Sequence, residues 1–415
     1  MGVGGGGAYH ARELFDLTGE PPVGQFEVLR TMNERAIPFG RPMMDQAEID
    51  LVVKVLQGTT LVHGPMTHEF VTRFAARVEA KHAISVSSCT AALHLALFAQ
   101  DVGPGDEVAV PALTHVATAH VAELCRAKPV FVDAETDTGN IDTKALASAV
   151  NGHTRAIMVV HFLGLPCEMD QINPIAEKAG AFVVEDCAIA MDATYGNRKV
   201  GTLGATGCFS FYPIKHMTTI EGGMATTNDD ALAQRIAQRK SFGYDKTVDR
   251  RTKPGIYDVT ALGFNYRMNE VEAAVGLAQM DKLDRFQEQR ARNYRDLRVA
   301  LADIDEVAVF APERGKARST HYCLNAVLPR DGSIDRDVVV AELNKSGIGT
   351  SVHYPGAVPL MTYYREKYGY KTGQFPVAEW LAAQTISLPT GPHVEPGDAA
   401  RIGRTMKDAV RRARR

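Results

Sequence analysis

Lys215 lies in the run Cys208-Phe209-Ser210-Phe211-Tyr212-Pro213-Ile214-Lys215-His216-Met217-Thr218-Thr219-Ile220-Glu221-Gly222-Gly223, where the only other formal charge is Glu221. An amine with few charged neighbours and little water loses its proton readily, because desolvation disfavours the ammonium form. A neutral lysine amine condenses with an aldehyde. The biological aldehyde that suits it is pyridoxal 5′-phosphate (PLP). That group also needs a phosphate cradle, a carboxylate for its ring nitrogen and a flat group over its face.

The chain holds candidates for all three. Ser87-Ser88-Cys89-Thr90 joins an expected strand to an expected helix. Free N–H groups and small hydroxyls at a helix start bind phosphate, although the same residues also serve as a plain N-cap. Ser210 is close enough to Lys215 in sequence to reach the same group. Glu185-Asp186 follows the apolar run Phe182-Val183-Val184. A carboxylate at the C-terminal end of a strand points into the crevice where α/β proteins bind ligands. Asp186 there either keeps a pyridine nitrogen protonated or is a helix cap or surface acid. His115 either stacks on a ring or is simply packed.

The surrounding sequence must position these residues. Strand-like runs at Ala83–Val86, Val108–Val110, Val130–Val132, Ala156–Val160 and Phe182–Val184 alternate with helical patterns at 91–97, 117–126, 143–150 and 170–179. Continuous apolar strands alternating with helices predict an α/β fold with a mostly parallel sheet covered on both faces. Asn269 with Glu272 fits a capping box that opens a long helix to about Leu297, with a break in composition after Phe286. Its position suits a bridge between domains, and 415 residues exceed one compact domain. The expected division is an N-terminal extension at 1–35, a large domain at 36–285 and a small α+β domain at 286–415. Gly2–Gly7 reads as flexible, with Leu14, Phe15 and Leu17 able to pin the rest of the extension. The small domain is expected to hold a strand at His321–Val327 and a helix at 335–345.

A net charge of −3 with mixed signs argues against nucleic acid or a membrane as partner. The basic end, Arg411–Arg415, reads as a frayed tail. Six cysteines without a C-x-x-C pair fit a reducing compartment and suggest no metal site. No apolar stretch reaches the roughly 18 residues of a membrane span, and the N-terminus lacks a secretory pattern. A cytoplasmic location is expected.

In their order these segments resemble the DegT/DnrJ/EryC1/StrS family of PLP-dependent sugar aminotransferases, of fold type I. The resemblance rests on 37–42, 88–97, 105–108, 128–133, Glu185-Asp186-Cys187-Ala188, 207–223, 263–268, His353-Tyr354-Pro355 and Ser387-Leu388-Pro389, and covers about residues 36 to 400. It implies a large PLP-binding domain and a smaller C-terminal α+β domain. Lys215 matches the lysine that holds PLP and shuttles the proton between C4′ and the substrate carbon. Asp186 matches the pyridine-nitrogen partner. Cys89, through its backbone, Thr90 and Ser210 match phosphate contacts. His115 stands where a stacking ring is usual, Asn265 where an asparagine reaches the phosphate of a second subunit, and His353 beside the substrate. A homodimer with shared sites follows from the resemblance.

Three positions depart from the family pattern. Ile189 replaces a hydrogen-bonding residue near the cofactor hydroxyl and the substrate, Met191-Asp192 a His-Gly or Leu-Gly pair, and Ile220 a glycine. The implied activity is ping-pong transfer of an amino group from glutamate or glutamine to a keto sugar, nucleotide-linked, or to a keto-cyclitol, through pyridoxamine phosphate. The rival readings are a PLP-dependent dehydratase or decarboxylase on the same fold and a non-catalytic PLP-binding protein. Retention of Lys215, which the family's sugar 3-dehydratases replace with histidine, weighs against the first, and Lys215 with Asp186 against the second.

Overall fold

The alternating apolar runs become one seven-stranded sheet in the computed structural model, which describes residues 35–246, 253 and 255–415. Its strands are β1 (His82–Val86), β2 (Glu107–Pro111), β3 (Lys128–Val132), β4 (Thr154–Val160), β5 (Phe182–Asp186), β6 (Thr206–Ser210) and β7 (Gly223–Thr227), in the spatial order β1-β7-β6-β5-β4-β2-β3. Strand β7 alone runs against the other six. Six of the seven residues of β4 are buried, as expected of a strand covered on both faces.

The preceding helices are α1 (Gln46–Leu56) and α2 (Pro65–Val78). Within the sheet region lie α3 (Cys89–Phe98), α4 (Val116–Leu124), α5 (Thr143–Ala149), α6 (Met169–Ala179) and α7 (Asp230–Arg239). Eight of the ten residues of α3 are buried, because the helix is apolar all round and sits inside the core.

The capping box at Asn269 and Glu272 opens α8 (Glu270–Leu301), 32 residues long. This helix runs without interruption through 285–286, where the sequence suggests a domain boundary. At its start Glu270 accepts from the N–H groups of Gly64, Met66 and Thr67, capping α2. Further along, Gln287 Nε2 donates to Met191 O at 2.8 Å, Arg290 Nη1 to Tyr322 O at 3.0 Å and Arg290 Nη2 to Lys215 O at 3.3 Å. Asn293 Nδ2 donates to Gly391 O at 2.9 Å.

Beyond α8, β8 (Ala308–Val309), β9 (Leu324–Val327) and β10 (Thr385–Leu388) form an antiparallel sheet of three strands. With it come α9 (Arg336–Lys345), α10 (Thr362–Tyr368), α11 (Pro376–Gln384) and α12 (Asp398–Arg412). A core of Tyr294, Leu297, Leu324, Leu343, Ile386, Ile402 and Met406 fills the space between this sheet, α8, α9 and α12, with Ile37 joining from the other end of the chain. Residues Ile37–Arg415 make up one compact unit.

Two expectations are corrected. The strand expected at His321–Val327 begins only at Leu324, because His321 adopts a left-handed backbone (φ 56°) and the Thr390 hydroxyl bonds the carbonyls of His321 and Tyr322. The basic tail is not frayed: Arg412 pairs with Glu342, Arg414 with Glu306 and Arg415 with Asp335, and Arg415 N–H donates to Ser333 O. The acids that hold it are distant in sequence. The glycine run and Leu14, Phe15 and Leu17 lie outside the described residues. Among the described residues no helix is long and apolar enough to cross a membrane.

Candidate active site

The parallel strands deliver their C-terminal ends to one edge of the sheet, and a cavity of ≈ 470 Å³ opens there. It brings together Cys89, Thr90, His115, Asp186, Ile189, Ser210, Lys215 and His353. Asn265 does not line it. That side chain is exposed and accepts from Arg267 Nε at 2.9 Å.

Helix α3 begins where β1 ends. Ser88 caps it by accepting from Ala91 N–H, which leaves the N–H groups of Cys89 and Thr90 without an intrahelical acceptor. The start of β7 presses against this turn. A Cβ on Gly223 would lie 2.4 Å from the Ser88 carbonyl carbon and 2.6 Å from Cys89 N, so only glycine fits. Burial pushes the Cys89 thiol well above its ordinary pKa, which leaves its backbone as the useful group. Two free N–H groups at the positive end of a buried helix, with the Thr90 and Ser210 hydroxyls nearby, suit a phosphate.

Asp186 ends β5 and is buried. Its Oδ2 accepts from Thr118 Oγ1 at 2.8 Å and its Oδ1 from Ala188 N–H at 3.1 Å. Thr118 has one hydroxyl proton and gives it to the carboxylate, so Thr114, 2.9 Å away, must donate to Thr118. The sequence reading missed this pair. Its signal was two threonines four apart across the start of α4, a spacing that puts them on one face.

Next to Asp186, Glu185 is buried and accepts from His161 Nε2 and from the N–H groups of Gly201, Leu203 and Gly204. Cys187 lies close enough to complete a three-ligand cluster with them. However, His161 Nδ1 already accepts from Cys167 N–H, so both ring nitrogens are engaged. The cluster is a hydrogen-bonded anchor for β5.

Lys215 is half-buried, in the loop between β6 and β7. Burial pulls its amine below the usual lysine value, and Asp186, Cys89 and Cys323 oppose that only in part. Its Nζ stands 5.2 Å from the centre of the Tyr322 ring. Tyr322 and Tyr354, both cavity residues, lie in runs that the sequence reading used for a strand and for the family resemblance without giving either a place in the site. His115 caps α4, its Nδ1 accepting from Ala117 N–H, and its ring is 5.9 Å from that of Tyr354. Burial lowers its pKa, so imidazole is favoured over imidazolium.

The departures have distinct structures. Ile189 is buried on the cavity wall and offers it no polar atom. Asp192 takes φ 68°, a region asparagine and aspartate tolerate, and pairs with Arg77 at 2.6 Å and Lys199 at 3.6 Å, away from the cavity. Ile220 takes φ 74° while 51% exposed, a strained conformation for a β-branched residue.

The donor set fits PLP: free N–H groups for phosphate, a hydrogen-bonded buried carboxylate and a lysine amine biased toward its neutral form. Sheet order and site together define an aminotransferase of fold type I. The profile of the DegT/DnrJ/EryC1/StrS aminotransferase family matches residues 42–407, and the chain belongs to that family. It is 36% identical to the spore coat polysaccharide biosynthesis protein SpsC of Bacillus subtilis over 381 residues, 91% of this chain and 98% of the relative. Among solved structures, Spr1654 of Streptococcus pneumoniae superposes with a TM-score of 0.86 at 27% identity, over 91% of this chain and all of the other, and is known in PMP and PLP forms. PseC of Helicobacter pylori, an aminotransferase of pseudoaminic acid biosynthesis, gives a TM-score of 0.84 at 25% identity, over 91% and 100%.

Proposed function

We propose that the protein moves an amino group from glutamate or glutamine to a keto sugar, nucleotide-linked, or to a keto-cyclitol, in two half-reactions at one site. The observation that carries this reading is the convergence of Lys215, Asp186 and the start of α3 on a single cavity. Membership of an aminotransferase family and likeness to a protein solved in PLP and PMP forms support the cofactor.

When bound, PLP supplies an electron-poor ring that stabilises a carbanion. Asp186, oriented by Thr118 and Ala188, keeps a proton on the ring nitrogen. The N–H groups of Cys89 and Thr90, with Ser210, hold the phosphate, and His115 packs on the ring face. Lys215 Nζ would remove the donor's α-proton as a general base. In the second half-reaction it delivers a proton to the former carbonyl carbon of the acceptor. Ile189 and His353 border the acceptor.

We assign residues 36–285 to cofactor binding and 286–415 to the small domain, an assignment supported by the separate core around β8–β10. A homodimer is supported by an apolar stripe on α1, with Ile49 at 54%, Val53 at 44% and Leu56 at 61% exposure. Asn265, exposed and outside the cavity, is then available to a second copy's phosphate. Six buried free thiols agree with a cytoplasmic location.

The test is a single-turnover reaction of the PLP-loaded protein with L-glutamate or L-glutamine, without acceptor. Loss of the long-wavelength absorbance with stoichiometric release of the matching 2-oxo acid is expected, and none with Lys215→Ala. A parent protein that leaves both donors unchanged refutes the donor assignment.

A further inference from the structure

His353 has two polar atoms with different surroundings. Its buried ring is held among Phe39 (5.8 Å between centroids), Tyr322 (5.8 Å) and Tyr354 (5.2 Å). Nδ1 is 2.8 Å from Ser387 Oγ. Nε2 has no hydrogen-bond partner among the described residues, and the residue lines the cavity.

Ser387 sits on β10, directly opposite Asn325 of β9, and Ser387 Oγ is 2.6 Å from Asn325 Oδ1. With the Asn325 carbonyl oxygen turned to Ser387 and its buried Nδ2 left without a partner among the described residues, the single hydroxyl proton of Ser387 goes to Asn325, because a carbonyl oxygen only accepts. The lone pairs of Ser387 Oγ then face His353 Nδ1, which must bring its own proton. Cys323, also against Ser387, is pushed by burial to a pKa of about 12 and remains an uncharged thiol. Burial, with Lys215 and His115 nearby, brings His353 to about 3, so its ring is neutral at ordinary pH. Tyr322, Tyr354 and Cys323 add no charge there.

We propose that Asn325 and Ser387 lock His353 as the Nδ1–H tautomer, so that a bare Nε2 faces the cavity and selects acceptors presenting a hydroxyl at that point. Such a nitrogen accepts from O–H and repels a carboxylate or carbonyl oxygen. The acceptor therefore carries a free hydroxyl, and not an acid group, where it meets His353. The substrate half of this inference rests on the aminotransferase reading; the tautomer half does not.

Long-range proton–nitrogen correlation spectra of the cofactor-free, full-length protein read the tautomer directly, with His353 assigned by comparison with His353→Gln. The expected pattern is protonated Nδ1 and bare Nε2. A protonated Nε2, as would follow from a reversed Asn325 amide that donates to Ser387, or a tautomer average, overturns the proposal. Asn325→Leu frees the Ser387 proton for Nδ1 and should switch the parent pattern to Nε2–H. An unchanged pattern removes Asn325 from the relay. In the loaded enzyme, Asn325→Leu should raise KM for a hydroxylated acceptor about three- to tenfold and leave the donor half-reaction rate unchanged. Equal loss in both half-reactions overturns the selective role. Failure to transfer amino groups would refute the enzymatic reading and leave the tautomer result standing.

Discussion

At the scale of single residues, the site depends on hydrogen bonds of fixed direction. Thr118 donates to Asp186 and receives from Thr114. Thr118→Val leaves one oxygen of a buried carboxylate without its donor, a loss of about 1.5–3 kcal/mol for a bond to a charged group. We expect PLP to dissociate at least roughly tenfold more readily from Thr118→Val, with Thr118→Ser close to the parent, as read by equilibrium dialysis. Lys215 shows the opposite case, a group whose environment resists its charge. Its folded-state pKa lies below the unfolded one, so between those two values the unfolded chain binds more protons and stability rises with pH. Lys215→Met removes that slope. The cofactor-free variant should melt above the parent near neutrality, and the gap should close as pH approaches about 10.4, the value of a free lysine. A constant gap across that range in thermal denaturation would refute the argument.

At the scale of elements, the end of the site proposed for the phosphate is a contact between the start of α3 and the start of β7. Gly223→Ala sets a Cβ against backbone that has no room to yield. A cost of about 2–3 kcal/mol in denaturant unfolding is expected, together with weaker binding of PLP. This part was legible in the sequence because it is local. Ser88-Cys89-Thr90 at a strand–helix junction, Asp186 at a strand end and Lys215 in a run with one other charge, Glu221, each declare themselves within a few residues. The relays were not legible. Thr118 reaches Asp186 across 68 residues, Ser387 reaches Asn325 across 62 and Arg290 reaches Lys215 across 75. Such pairs depend on which helix face meets which strand, and periodicity in one sequence does not specify that. The same reason explains the tail, whose arginines meet acids that sequence order keeps far apart.

At the scale of the whole molecule, the exposed stripe on α1 predicts association. Sedimentation velocity should give a dimer, and Ile49→Glu with Val53→Glu a monomer of unchanged circular dichroism. A monomeric parent would refute the dimer and the shared role of Asn265. The molecule also has an internal yardstick in α8. One unbroken rod caps α2 at Glu270, holds the Lys215 carbonyl at Arg290 and the segment after β10 at Asn293. A rod transmits phase as well as distance. Inserting one residue ahead of Arg290 would turn everything downstream by about 100° and advance it by about 1.5 Å, taking the guanidinium off the lysine loop and dragging the His353 side of the cavity round with the small sheet. The number of residues in this helix is thus counted as strictly as teeth between meshed gears.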